Sequence, residues 1–112
     1  MLDNKTTIEE LKNKIKVFSQ ERNWLNNENG KDLVMALSVE ASELLEIFQW
    51  IHSDDADKIK DDENKYIHLK EEIADVFWYL MRVCSHYDID LTEAVGDKEV
   101  KNAKKYPKAK EI

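Results

Sequence analysis

The sequence predicts an all-α protein, a four-helix bundle that assembles as an oligomer. Three observations carry that prediction. Only two glycines and one proline occur among 112 residues, so the turn chemistry of a multi-strand sheet is missing. Apolar residues recur at intervals of three and four along most of the chain, the period of a helix face rather than of a strand. Charged residues make up 37% of the chain and hydrophobic ones 42%, the balance of helices with solvated outer faces around a modest core.

The elements follow in order. Thr7 followed by Glu10 reads as a capping box, and Ile8, Leu11, Ile15 and Phe18 continue the period, predicting a first helix over 7–23. The run NWLNNENGKD, with its asparagines and Gly30, marks a loop that brings Trp24 close to the next helix. Asn29 or Asp32 caps that second helix, predicted over 31–52. On its wheel Leu33, Leu37, Leu44, Phe48 and Ile51 share one face. The charged segment SDDADKIKDDENK predicts a mobile loop with one helical turn after Ser53.

A third helix is predicted over 63–87, with Leu69, Ile73, Val76, Leu80, Val83 and Tyr87 on one face. Ile67, Ala74, Trp78, Met81 and Ser85 form a second apolar face opposite the first. A helix apolar on two sides is covered on two sides, which predicts a contact with another subunit. Thr92 reads as the cap of a fourth helix over 92–106, which Tyr106-Pro107 stops. The tail from Lys108 to Ile112 carries no core signal, and the whole of 1–112 reads as one domain.

Charge and cysteine content bound the function. A formal charge of −7 argues against a nucleic-acid backbone or an anionic membrane as partner. A single cysteine, Cys84, excludes an internal disulfide and fits a reducing compartment, where it reads as a small buried hydrophobe. The N-terminus has no signal-peptide pattern, and no apolar run approaches the roughly 20 residues of a membrane span. A cytoplasmic location is the expectation.

Two acid pairs stand out against this background: Glu40 with Glu43 in the second helix, Glu72 with Asp75 in the third. Glu40 falls inside an apolar stripe, and the other three lie on the edges of theirs. Acids three apart project from adjacent turns of one face, so two such pairs on facing helices converge into four carboxylates. Unpaired, these would repel and take up protons; a divalent cation resolves the conflict. All-oxygen ligation favours Mg²⁺ or Mn²⁺ over zinc or copper. A di-iron bundle wants Glu-x-x-His pairs, and none of His52, His68 or His86 stands three residues after a Glu. Mg²⁺ sites are commonly completed by phosphate oxygens, which points to a phosphorylated substrate. No Gly-rich phosphate loop is present, so cation and lysines such as Lys98, Lys101, Lys104 and Lys105 would meet the phosphates, although a lysine run is more often a solvated face. Arg82 and His86 either approach phosphates or form an outer ion pair. Trp24, Trp50 and Trp78 read by default as core or interface residues, while Trp50, on Glu43's side of its helix, is also placed to stack on a nucleobase.

Glu40-x-x-Glu43, 28 intervening residues and Glu72-x-x-Asp75 together resemble the signature of the all-α nucleotide pyrophosphohydrolases, the MazG-like and dimeric dUTPase superfamily. The likeness is greatest to the dCTP pyrophosphatase-like branch. Phe18 with Glu21-Arg22-Asn23-Trp24, the run Glu46-Ile47-Phe48-Gln49-Trp50, Tyr79-Leu80, Lys98 with Asn102, and Tyr106-Pro107 extend it from about residue 15 to 107. The resemblance implies Mg²⁺-dependent hydrolysis of a nucleoside triphosphate, dCTP or a modified pyrimidine deoxynucleotide, to the monophosphate and pyrophosphate. It implies that Glu40, Glu43, Glu72 and Asp75 hold the metal and carry the catalysis. Trp24 and Trp50 would flank the base, and Tyr79, Lys98, Asn102 and Tyr106 would contact the nucleotide. It also implies a homodimer or homotetramer. Where members of the branch can carry a base-pocket histidine before Phe18, this chain has Ile15. The alternative reading is a helical bundle that senses nucleotides without efficient turnover.

Overall fold

The computed structural model describes residues 1–110; Glu111 and Ile112, the end of the tail, lie outside the described residues. Among the described residues all regular structure is helical: α1 (Ile8–Glu21), α2 (Gly30–Glu46), α3 (Glu63–His86) and α4 (Leu91–Lys105), with short 3-10 helices at Asp3–Lys5 and Ser53–Asp61. Among the described residues no helix is long and apolar enough to cross a membrane.

Each long helix begins on a side-chain cap that satisfies an otherwise orphan backbone N–H. The Thr7 hydroxyl accepts from the Glu10 amide at 3.1 Å and Asn29 Oδ1 from the Asp32 amide at 2.9 Å. Asp62 caps α3 through the Lys65 amide at 3.1 Å. At α4 the cap is Asp90, accepting from the Glu93 amide at 2.9 Å, and not the expected Thr92. Asp90 also places its carboxylate at the positive end of the helix dipole, and the helix starts on Leu91, which packs against the core.

α1 and α3 end alike. Asn23 (φ 57°) and Asp88 (φ 54°) adopt left-handed backbone, a conformation short polar side chains tolerate. The following amide reaches back five residues in both cases, Trp24 to the Ser19 carbonyl at 3.0 Å and Ile89 to the Cys84 carbonyl at 2.8 Å. These are Schellman-type stops, and the first turns Trp24 back against α1. α4 ends at Lys105 because Pro107 pushes Tyr106 (φ −124°, ψ 84°) out of the helical region.

α2 is shorter than the sequence predicts, ending at Glu46 and not near His52. Its hydrogen bonding tightens there: the amides of Phe48 and Gln49 reach only three residues back, to Leu45 and Glu46 at 2.9 and 3.3 Å. The charged segment expected as a mobile loop is instead the 3-10 helix Ser53–Asp61. His52 Nδ1 caps it through the Asp54 amide at 3.2 Å, and Ile59 is buried and anchors it to the body.

The centre of the molecule is small. Ile15, Met81 and Cys84 form its buried nucleus, with Phe77, Trp78, Leu80 and Leu91 packed around it. α3 is the central element, lying against α2, α1 and the 3-10 segment. Gly30, at the start of α2, lies against the residue that ends α3, since a Cβ there would run into the Tyr87 ring. The expected four-helix bundle is not closed within one chain. From Thr92 to Lys105, α4 is exposed throughout. The second apolar face of α3 is covered by α1 only near Met81; Ile67 and Ala74 remain exposed, as do Ile73 and Tyr87 on the first. Val34, Met35, Val39 and Leu45 leave α2 with a further apolar exposed side. Burial of one such side chain stabilises by roughly 1.5–3 kcal/mol, so a single chain forgoes much of the apolar contact its sequence offers.

Candidate functional site

α2 and α3 run antiparallel side by side. Gly30 meets Tyr87 at one end, Ala36 and Tyr79 line a common cleft further along, and Glu43 meets Glu72 beyond it. Glu40 thus comes one turn after Ala36 on α2, and Asp75 one turn before Tyr79 on α3. The predicted convergence of acids is a product of this register.

Glu40, Glu43 and Glu72 each present a carboxylate oxygen, and the three atoms lie within 4.8 Å of one another. Asp75 is exposed and stands outside this triplet, yet its charge acts on Glu40. Oε2 of Glu40 and Oε2 of Glu72 are both buried with no hydrogen-bond partner. Burial of Glu40 raises its pKa from an ordinary 4.5 to about 7, assisted by its hydrogen bond and repulsion with Glu43 and by the charges of Asp75 and Glu72. Buried oxygens without donors are costly, and a proton or a cation relieves them. The donor set is all oxygen, which suits a hard divalent ion. On the outer side of Glu72, His68 Nε2 lies 3.4 Å from Oε1. This partner escaped the sequence reading because it precedes the acid by four residues on an exposed face.

One turn from the acids, α2, α3 and the loop after α1 enclose a cleft of about 330 Å³ lined by Trp24, Asn29, Leu33, Ala36, Tyr79 and Arg82, among others. Trp24 is 47% exposed and leans on Phe18, ring centroids 5.6 Å apart. Phe18 in turn meets Trp78 edge-on at 5.1 Å. Two expected site residues, Trp24 and Tyr79, therefore share a cleft beside the acids. The others do not: Trp50 is 90% exposed in the turn after α2, and Lys98, Asn102 and Tyr106 lie exposed on α4 or at its end. Trp50 is thus not a core residue of this chain, whereas Trp78 is half buried against the nucleus. Ile15 is a core residue.

Arg82 is not free for a phosphate. Its guanidinium donates to Glu28 Oε1 from Nε at 3.2 Å and Nη2 at 2.8 Å, and His86 Nδ1 lies 3.3 Å from Glu28 Oε2. The ion-pair alternative for Arg82 and His86 is the one realised. Glu28 was missed because one acid inside an asparagine-rich loop carries no periodic signal.

The family model described as MazG-like matches residues 35–112, which includes all four acids. The chain belongs to the MazG-like family. Among its relatives are dCTP pyrophosphatase 1 of Mus musculus, 31% identical over 101 residues, and that of Homo sapiens, also 31% identical. The match takes in 90% of this chain but 59% of either relative, so the chain spans about three-fifths of their length. A solved structure of a pyrophosphatase from Archaeoglobus fulgidus is 42% identical, superposes with a TM-score of 0.80, and is matched over 90% of this chain and 93% of its own. This MazG-like chain thus shares its fold with that protein over almost the whole length of both.

Proposed function

We propose that the protein is a divalent-metal-dependent nucleoside triphosphate pyrophosphohydrolase, converting dCTP or a modified pyrimidine deoxynucleotide to the monophosphate and pyrophosphate. The observation that carries the reading is the carboxylate triplet with two unpartnered buried oxygens, one helical turn from an aromatic cleft. The names of the relatives, dCTP pyrophosphatase and pyrophosphatase, support the same chemistry.

Glu40, Glu43, Glu72 and Asp75 would hold Mg²⁺, with Mn²⁺ as the alternative. When bound, such a cation neutralises phosphate charge and lowers the pKa of coordinated water. The chain's own contribution is positional. The packed α2–α3 pair fixes the acids before substrate arrives, so no reorganisation is needed as charge develops. Trp24 and Tyr79 wall the base. Lys98, Asn102, Tyr106 and Trp50 are the remaining nucleotide contacts and belong to surfaces that one chain leaves open, which suits a site completed in a homodimer or homotetramer. Lys98 would stabilise charge on the departing pyrophosphate.

Pyrophosphate release from a panel of ordinary and modified nucleoside triphosphates, with and without Mg²⁺, tests the reading. Release that requires the metal and favours pyrimidine deoxynucleotides is expected. No release from any of them would overturn it.

A further inference from the structure

Glu28 is the most heavily engaged acid in the structure and has no place in the acid cluster. It sits in the loop between α1 and α2, four residues after Trp24, and its side chain is only 9% exposed. One carboxylate oxygen takes both guanidinium bonds from Arg82, and the other faces His86 one turn further along α3. Arg82 is itself 11% exposed on its side chain. With both oxygens engaged by α3 side chains, Glu28 acts as a clamp.

What the clamp holds is the wall of the nucleotide cleft. Arg82 Cζ lies 5.8 Å from the Trp24 ring centroid and 5.4 Å from that of Tyr79, within cation–π reach of both aromatic residues of the cleft. Cation–π contact of this kind fixes ring positions when the cation is itself fixed. Glu28 and Arg82 also line a second, smaller cavity of about 140 Å³ behind them, with Ile15, Ser19, Leu25 and His86. The same two side chains border the cleft of about 330 Å³ in front. They are the partition between the two spaces.

We infer that Glu28 and Arg82 are positioning residues for base specificity: their ion pair holds Trp24 and Tyr79 at a fixed separation and closes the rear cavity, so that the cleft accepts a single-ring base and rejects a purine. This rests on the reading of the cleft as the base site under Proposed function. Neither residue touches the reacting phosphates in this scheme, so their loss alters substrate choice more than the chemical step.

The test compares the wild-type protein with R82K and with the double variant E28M/R82M. R82K keeps a cation opposite Glu28 but loses the planar fork. The double variant replaces the pair by apolar side chains of similar length, a change that buried ion pairs often tolerate without loss of fold. kcat and KM are measured for pyrimidine and purine deoxynucleoside triphosphates, alongside the melting temperature with and without Mg²⁺. The expected result is that the pyrimidine-over-purine ratio of kcat/KM falls about tenfold in both variants, with KM for the pyrimidine rising more than kcat falls. The stabilisation by Mg²⁺ should persist. An unchanged ratio in folded R82K overturns the inference, as does an equal loss for both base classes. If the wild-type protein releases no pyrophosphate from any nucleotide, the proposed activity fails separately, and equilibrium dialysis of the same triphosphates decides: a base preference in binding that R82K weakens upholds the clamp, and an unaltered or absent preference overturns it.

Discussion

The α2–α3 pair carries five of the expected site residues and α4 carries two, with Tyr106 at its end, and the two regions are built on opposite terms. α2 and α3 pack along their length, and Glu40, Glu43 and Glu72 sit half-buried at the seam with two oxygens lacking partners. α4 packs Leu91 against the body and offers Lys98 and Asn102 to solvent. The first region has its candidate groups assembled within one chain; the second has them displayed. A preorganised cluster stores repulsion that a ligand can release, whereas a displayed lysine stores nothing and acts only once something is brought to it.

That contrast can be broken most sharply at Glu43. E43Q keeps the size and removes the charge, and we expect turnover to fall on the order of a thousandfold with the melting temperature of the metal-free protein unchanged or raised. Steady-state pyrophosphate release and a thermal melt check both halves; an active E43Q would remove the acids from the site. Next in size is the stabilisation by metal. Mg²⁺ at a hundred times its dissociation constant should contribute about 2.7 kcal/mol, read as a rise in melting temperature that E43Q loses. A wild-type protein whose melting temperature ignores Mg²⁺ would mean that the seam is merely structural.

Lys98 tests the other region. K98A should lower kcat/KM about tenfold and leave both the melting temperature and its Mg²⁺ dependence alone, because α4 adds nothing to the dry seam. Loss of metal-induced stability in K98A would erase the distinction between the two regions. The remaining test is the pH dependence of stability. Glu40 is shifted upward when folded, from 4.5 to about 7, so the folded protein binds the proton more tightly than the unfolded chain. Its contribution is therefore full at pH below 4.5 and is lost as pH rises towards and through 7. Metal-free melts of wild type and E40Q should diverge over that window, with E40Q gaining on wild type as the pH rises; parallel curves would show that Glu40 is not desolvated.

Much of the candidate site's geometry was legible because helices translate spacing into direction. Acids three apart must share a face, and two such pairs on amphipathic segments have few arrangements other than the one adopted by α2 and α3. Trp24 was legible for a related reason, since the asparagine-rich turn had to return the chain towards α2. The shortened α2 was not legible, because the apolar period continues through Phe48 and Ile51 while the backbone tightens into turns that periodicity does not report. The Ser53–Asp61 helix was hidden by its charge, and a single side chain, Ile59, decides its placement. Glu28 was hidden more completely: its partners lie 54 and 58 residues away, and no local pattern announces a contact of that range.

The sequence by itself determined the helical class, all four long-helix starts to within a residue, and the two pairs of carboxylates, because caps, periods and i,i+3 spacing are properties of neighbours along the chain. Only the tertiary structure decided that α2 and α3 run in the register that brings Glu40, Glu43 and Glu72 together, that Arg82 is spent on Glu28, and that α4 stands apart from the body. Those outcomes depend on which distant surfaces exclude water from one another, and that is settled by packing in three dimensions.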